Sequence, residues 1–128
     1  MSHAERAARK QQTFIVHQVF FQFKEGINWD SEKAKKAEQA TLRHPREISQ
    51  IKAWFCGRSI IARPQAADFS LIGYFAGRED LDAYMVHPDH LRGVELWKEI
   101  STWTVSDIVV AAADLNKLSH MTGSRAGV

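Results

Sequence analysis

The sequence predicts an α+β domain with the element order β-α-β-β-α-β. Four segments rich in β-branched and aromatic residues are spaced along the chain, and the first and third connections between them carry helical patterns. With 128 residues, 45% of them hydrophobic and 25% charged, the chain also has the size and composition of a single ordinary domain.

The first strand is Phe14 to Lys24, alternating aromatic and β-branched residues and ending at the Glu25-Gly26 turn. Asp30 or Ser31 can cap a helix that runs to about Arg43, where His44-Pro45 closes it. Ile48 to Ile60 reads as a longer extended segment, with Gly57 as a bulge or bend. Asp68 to Ala76 is the third strand. After Gly77, Leu81, Tyr84 and Met85 share one face of a short helix that Pro88 ends while opening another, which reaches Ile100. Trp103 to Val110 is the last strand.

Right-handed crossovers put both sets of helices on the same side of the sheet. The other side then stays bare, yet neither face is wholly polar: the first strand carries Val19, Phe21 and Phe23 on one face and Phe20 on the other, and the third carries Phe69, Leu71 and Phe75 against Ile72 and Tyr74. An apolar sheet face without cover is a protein contact site, so a homodimer packed sheet to sheet is expected. Residues 1–13 are expected to be a flexible N-terminal segment, 14–110 the folded domain, and 111–128 a loose C-terminal tail.

The charge is +2, with 17 basic residues interleaved among 15 acidic ones, which argues against a nucleic-acid partner. The lone Cys56 rules out an internal disulfide, and no signal peptide or membrane span is apparent. The expected location is the cytoplasm. Cys56 alternates with Trp54 and reads as packing.

The strand Val16-His17-Gln18-Val19-Phe20-Phe21-Gln22-Phe23-Lys24, the segment Asp68-Phe69-Ser70-Leu71-Ile72 and the run Leu81-Asp82-Ala83-Tyr84-Met85-Val86-His87-Pro88-Asp89-His90 together resemble the stress-responsive dimeric α+β barrel (Dabb) family over residues 14–110. The resemblance implies a ferredoxin-like protomer and a dimer whose two sheets form a barrel. Some members of that family look like polyketide cyclases, and their pattern puts a general base on His90, its partner hydroxyl on Tyr84 and further polar lining on His17. Many others have no assigned reaction, and fold does not fix function.

Read from the residues, His90 falls in the first turn after Pro88, where the positive helix end disfavours imidazolium and leaves a neutral base. Asp107 lies on an apolar row with Trp103, Val105 and Val109, needs a partner there, and is the acceptor that could orient His90. Tyr84 suits either a hydrogen bond to a substrate carbonyl or a core aromatic. His17 and His87 complete the set as substrate-binding candidates. His87, Asp89 and His90 make only a weak metal pattern, so neither a metal nor another cofactor is expected. The expectation is therefore a stress-responsive Dabb homodimer with a small apolar pocket in each protomer, performing cyclase or lyase chemistry on a polyketide-like or other small carbonyl compound. A non-catalytic ligand-binding dimer is the alternative. A cofactor-free or haem-dependent monooxygenase of the same architecture is a third.

Overall fold

Four strands, β1 (Thr13–Phe23), β2 (Ala53–Arg58), β3 (Phe69–Phe75) and β4 (Ser101–Ala111), form an antiparallel sheet ordered β2-β3-β1-β4 in the computed structural model, which describes residues 2–4 and 12–123. The helices are α1 (Glu32–Glu47), α2 (Arg78–Met85), α3 (Pro88–Ile100) and α4 (Ala112–Gly123). The expected β-α-β-β-α-β order holds, with α1 in the first crossover and α2 and α3 in the second. This is the ferredoxin-like arrangement.

Period-two alternation decides which side chains meet the helices. Val19 and Phe21 of β1, with Phe69 and Leu71 of β3, pack beneath Ala34 and Ala37 of α1 and Trp97 and Ile100 of α3. The two alanines are fully buried, and their small side chains let α1 lie close on the sheet. Phe21 stacks on Trp97 with ring centroids 4.1 Å apart. A second cluster of Ile48, Phe75, Leu81 and Tyr84 continues the core towards α2.

On the opposite face of the sheet Val16 is buried, while Phe20, Phe55 and Ile108 stay 39%, 62% and 46% exposed among the described residues. In the loop after β2, Ile60 and Ile61 are also exposed. Among the described residues, no helix is long and apolar enough to cross a membrane.

Several boundaries differ from the sequence expectation. Ser31 is the N-cap of α1, its hydroxyl accepting from the Ala34 N–H, but the helix continues through Pro45 to Glu47. Proline removes the N–H that would bind the Thr41 carbonyl four residues back. That carbonyl instead accepts from the Trp54 indole at 3.1 Å, so tertiary structure supplies what the proline withholds. Since α1 is longer, the second strand is shorter than Ile48 to Ile60, and Gly57 pairs with Ser70 in regular register without a bulge.

Within the expected C-terminal tail, residues 112–123 form helix α4. Ala111 ends β4, and α4 follows with Asp114 in its first turn 3.0 Å from Lys117 and Leu115 half-buried. Residues 124–128 lie outside the described residues, as do 1 and 5–11 of the expected N-terminal segment, while Thr13 already belongs to β1.

Candidate active site

The turn between α2 and α3 is built by His87 and Pro88. His87 is the N-cap of α3, its Nδ1 accepting from the Asp89 N–H at 3.0 Å, and Pro88 takes the first helical position, where no N–H is needed. This geometry sets Tyr84 at the end of α2 against His90 in the first turn of α3, ring centroids 4.3 Å apart. Tyr84 is almost wholly buried, as expected for the inward face of α2.

Between these helices and the sheet lies a cavity of about 190 Å³ lined by His17, His44, Tyr84 and His90, with Val19, Leu71, Trp97 and Val105 among its apolar walls. Pockets for drug-sized ligands span about 300–1,000 Å³, whereas an apolar cavity of about 150 Å³ can hold benzene. The space suits a small molecule and is far too small for a porphyrin.

The structure therefore brings His17, Tyr84 and His90 together as expected. It does not pair Asp107 with His90. The β1–β4 register sets His17 directly opposite Asp107, and the carboxylate accepts from His17 Nδ1 at 2.6 Å. His90, one helix away, is oriented by backbone: its Nδ1 lies 3.0 Å from the Met85 carbonyl. His87 does not line the cavity, because its ring is engaged in capping α3.

A carbonyl oxygen can only accept, so the proton of the neutral His90 ring sits on Nδ1, and Nε2 keeps its lone pair. Burial pulls this imidazole down to about 4, and the neighbouring imidazoles of His44, His17 and His87 pull in the same direction against the Met85 hydrogen bond. His90 is thus neutral near pH 7, as expected, with burial as the largest cause. The Tyr84 phenol is pushed upward, by burial first and then by the charge of Asp107, and remains a proton donor.

One member of the site was missed by sequence reasoning. His44, 3% exposed, donates from Nδ1 to Asp89 at 2.6 Å. Asp89, 1% exposed, also accepts from Arg43 at 2.9 Å and Arg92 at 3.1 Å. Burial pushes the Asp89 carboxyl up, but the hydrogen bonds from His44, Arg43 and Arg92 outweigh it and hold the group below the usual range. Burial lowers His44 despite Asp89, with Arg43 and His87 adding to that effect. The signal for His44 was a spacing: Ala34, Ala37, Thr41, His44 and Ile48 form one inward stripe once the helix is allowed to run through Pro45.

Among the described residues no three His, Cys, Asp or Glu side chains are grouped so as to hold a metal ion. Cys56 is half-buried, and burial raises its thiol further from reactivity.

Residues 15–110 match the model of the stress responsive A/B barrel domain, Dabb. An uncharacterized protein of Streptomyces coelicolor is 31% identical over 93 residues, covering 73% of this chain and 96% of that protein. A dimeric ferredoxin-like protein of unknown function from Thermobifida fusca superposes with a TM-score of 0.65 at 20% identity, over 79% of this chain and 92% of that one. A hydroxynitrile lyase from Passiflora edulis superposes with a TM-score of 0.66 at 12% identity, over 77% of this chain and 94% of the lyase.

Proposed function

The chain belongs to the stress responsive A/B barrel (Dabb) family, and on that premise we propose that its cavity binds a small carbonyl compound on which His90 acts as general base in a lyase- or cyclase-type reaction. One observation carries this reading: a neutral imidazole, its Nδ1 proton held by the Met85 carbonyl, stands in a small apolar cavity against a protonated tyrosine.

In this reading His90 Nε2 takes a proton from the carbon beside the carbonyl, while the Tyr84 phenol donates a hydrogen bond to the carbonyl oxygen as negative charge gathers there. Such a base contributes about 10²–10⁴-fold and such a donor about 10²–10³-fold. Burial by itself makes His90 a weak base and its imidazolium a strong acid, so proton transfer relies on the negative charge gathering on the substrate to hold the imidazolium. The imidazolium therefore returns the proton readily to the product carbanion or alkoxide. The same two residues serve a cyanohydrin: His90 takes the hydroxyl proton, the carbon–carbon bond to cyanide breaks, the carbonyl forms, and the imidazolium protonates the departing cyanide. Likeness to the Passiflora edulis lyase makes this branch worth testing. His17, its Nδ1 engaged by Asp107, forms the facing polar wall.

The exposed sheet face supports a homodimer. A second copy set against Phe20, Phe55 and Ile108 would cover it, in keeping with the dimeric state of the Thermobifida fusca protein. Burying about 800 Å² per partner, the size of an ordinary interface, would suffice.

The test is proton exchange. In D2O the wild-type protein should accelerate deuterium uptake at the carbon beside the carbonyl of phenylacetaldehyde or acetone, followed by NMR, and His90→Ala should lose at least 100-fold. Exchange no faster than in buffer for both compounds, or equal in the two proteins, would contradict the role. A non-catalytic reading has its own support, since no sealed side-chain nitrogen or oxygen among the described residues lacks a partner. In that case His90→Ala lowers the melting temperature and changes nothing else.

A further inference from the structure

The reaction described above uses His90, Tyr84 and, as a wall, His17, and it leaves His44 and Asp89 without a chemical part. Their arrangement is more specific than a helix clamp needs. Arg43 and Arg92 already neutralise Asp89, and Arg43 already ties α1 to α3. The second carboxylate oxygen goes to His44 Nδ1, which fixes the ring proton there and leaves Nε2 as an acceptor.

That nitrogen sits against Gly93, itself part of the cavity wall. His44 lines the cavity, its ring centroid lies 6.1 Å from that of His90, and its hydrogen bond is made through Nδ1 alone. No side-chain nitrogen among the described residues is both sealed and unpartnered. Space for the ring is made by Gly93, three residues after His90 on the same face of α3. A Cβ at that position would lie 2.7 Å from His44 Nε2, so no other residue fits there without moving the imidazole.

We propose that His44 Nε2, positioned by Asp89, is a second hydrogen-bond acceptor of the cavity beside His90, and that its substrate carries a hydroxyl or enol in addition to the reacting carbonyl group. This rests on the cavity being the acid–base site described above and names the class of compound it selects. A simple carbonyl compound brings only acceptors and leaves this desolvated lone pair unmatched, whereas a hydroxyl donor satisfies it. Sites built to bind a substrate hydroxyl discriminate strongly against analogues without one. The charged and titratable groups around His44 are Arg43 on its own helix, Asp89, His90 and Arg92 on α3, and His87 at the turn. Burial first, then Arg43 and His87, lower His44 against the pull of Asp89, so the ring meets the ligand as a neutral acceptor.

Phenol and resorcinol are cavity-sized probes that differ by one hydroxyl. By calorimetry on the full-length protein, resorcinol should bind about fivefold more tightly than phenol, the worth of one net hydrogen bond. His44→Phe should bring the two to within twofold of each other by weakening resorcinol alone. Equal affinities in the wild type, or a preference that survives in His44→Phe, would overturn the assignment. Should that variant fold poorly, the wild-type protein still decides: the 15N resonance of His44 Nε2 should start at the position of a bare imidazole nitrogen and move on saturation with resorcinol. A resonance that stays put would overturn it as well. Deuterium exchange reads the earlier proposal separately. Exchange that depends on His90 without a resorcinol preference would sink this inference alone, and the preference without exchange would sink only the catalytic reading.

Discussion

His90 shows how one ring couples chemistry to stability. Its ordinary value of 6.5 falls to about 4 in the fold, so between those values the unfolded chain binds more protons than the native one. The stability tied to a neutral His90 is therefore complete above pH 6.5 and lost as the pH falls towards 4. At full value the shift is worth about 3 kcal/mol, and solvent around a half-buried ring reduces it to about 1–2 kcal/mol. His44 is lowered as well and adds to the same slope. Denaturant unfolding at a series of pH values should show wild-type stability declining from pH 7 to pH 4.5, with a shallower decline in His90→Asn. Parallel curves for the two proteins would mean that His90 titrates normally in the folded state.

At this scale His90 and Tyr84 were legible because Pro88 announces a helix start and the short apolar stripe points Tyr84 inward. The partner of Asp107 was not, because strand register decides it. An apolar row shows that Asp107 needs a partner, but only the β1–β4 ladder shows that His17 stands opposite. His44 stayed hidden for a related reason: a proline that ordinarily ends a helix here sits inside one.

Among the elements, α1 carries this point. Its last turn exists because the Trp54 indole of β2 binds the Thr41 carbonyl that Pro45 leaves open, while the Thr41 hydroxyl accepts from the Trp97 indole at 2.7 Å. Trp54 also lies flat on Gly73 of β3, where a Cβ would come within 2.9 Å of the indole ring. Glycine at that strand position is what lets the ring reach α1. Trp54→Phe should cost about 1–3 kcal/mol, from a carbonyl left without its donor and from lost packing. In a Pro45→Ala background the same change should cost less, because alanine at that position restores the N–H that the Thr41 carbonyl lacks. Chemical denaturation of the four proteins measures this coupling, and a coupling of zero would mean that the indole bond does not sustain the helix. The order of elements was visible in the sequence because each is strongly patterned. Their ends were not, because side chains from other elements decide them.

For the whole molecule, the two-faced sheet governs both assembly and site. Helices cover one face and enclose the histidines; the other carries the exposed Phe20, Phe55 and Ile108. Phe20→Asp places a carboxylate in the centre of that face and should turn the proposed dimer into a monomer by sedimentation velocity at micromolar concentration. His90 should keep its low value in that monomer, since the Met85 carbonyl, Tyr84 and His44 that surround it belong to its own chain. A wild type that sediments as a monomer would remove the assembly proposed for the bare face.

A neutral His90, protonated on Nδ1 and bare at Nε2, faces an apolar cavity. Long-range 1H–15N NMR of the histidine rings reads this directly. His90 should show the Nδ1–H form from pH 8 to about pH 5, with protonation only near pH 4. A ring that titrates near 6.5, or that carries its proton on Nε2, would contradict it.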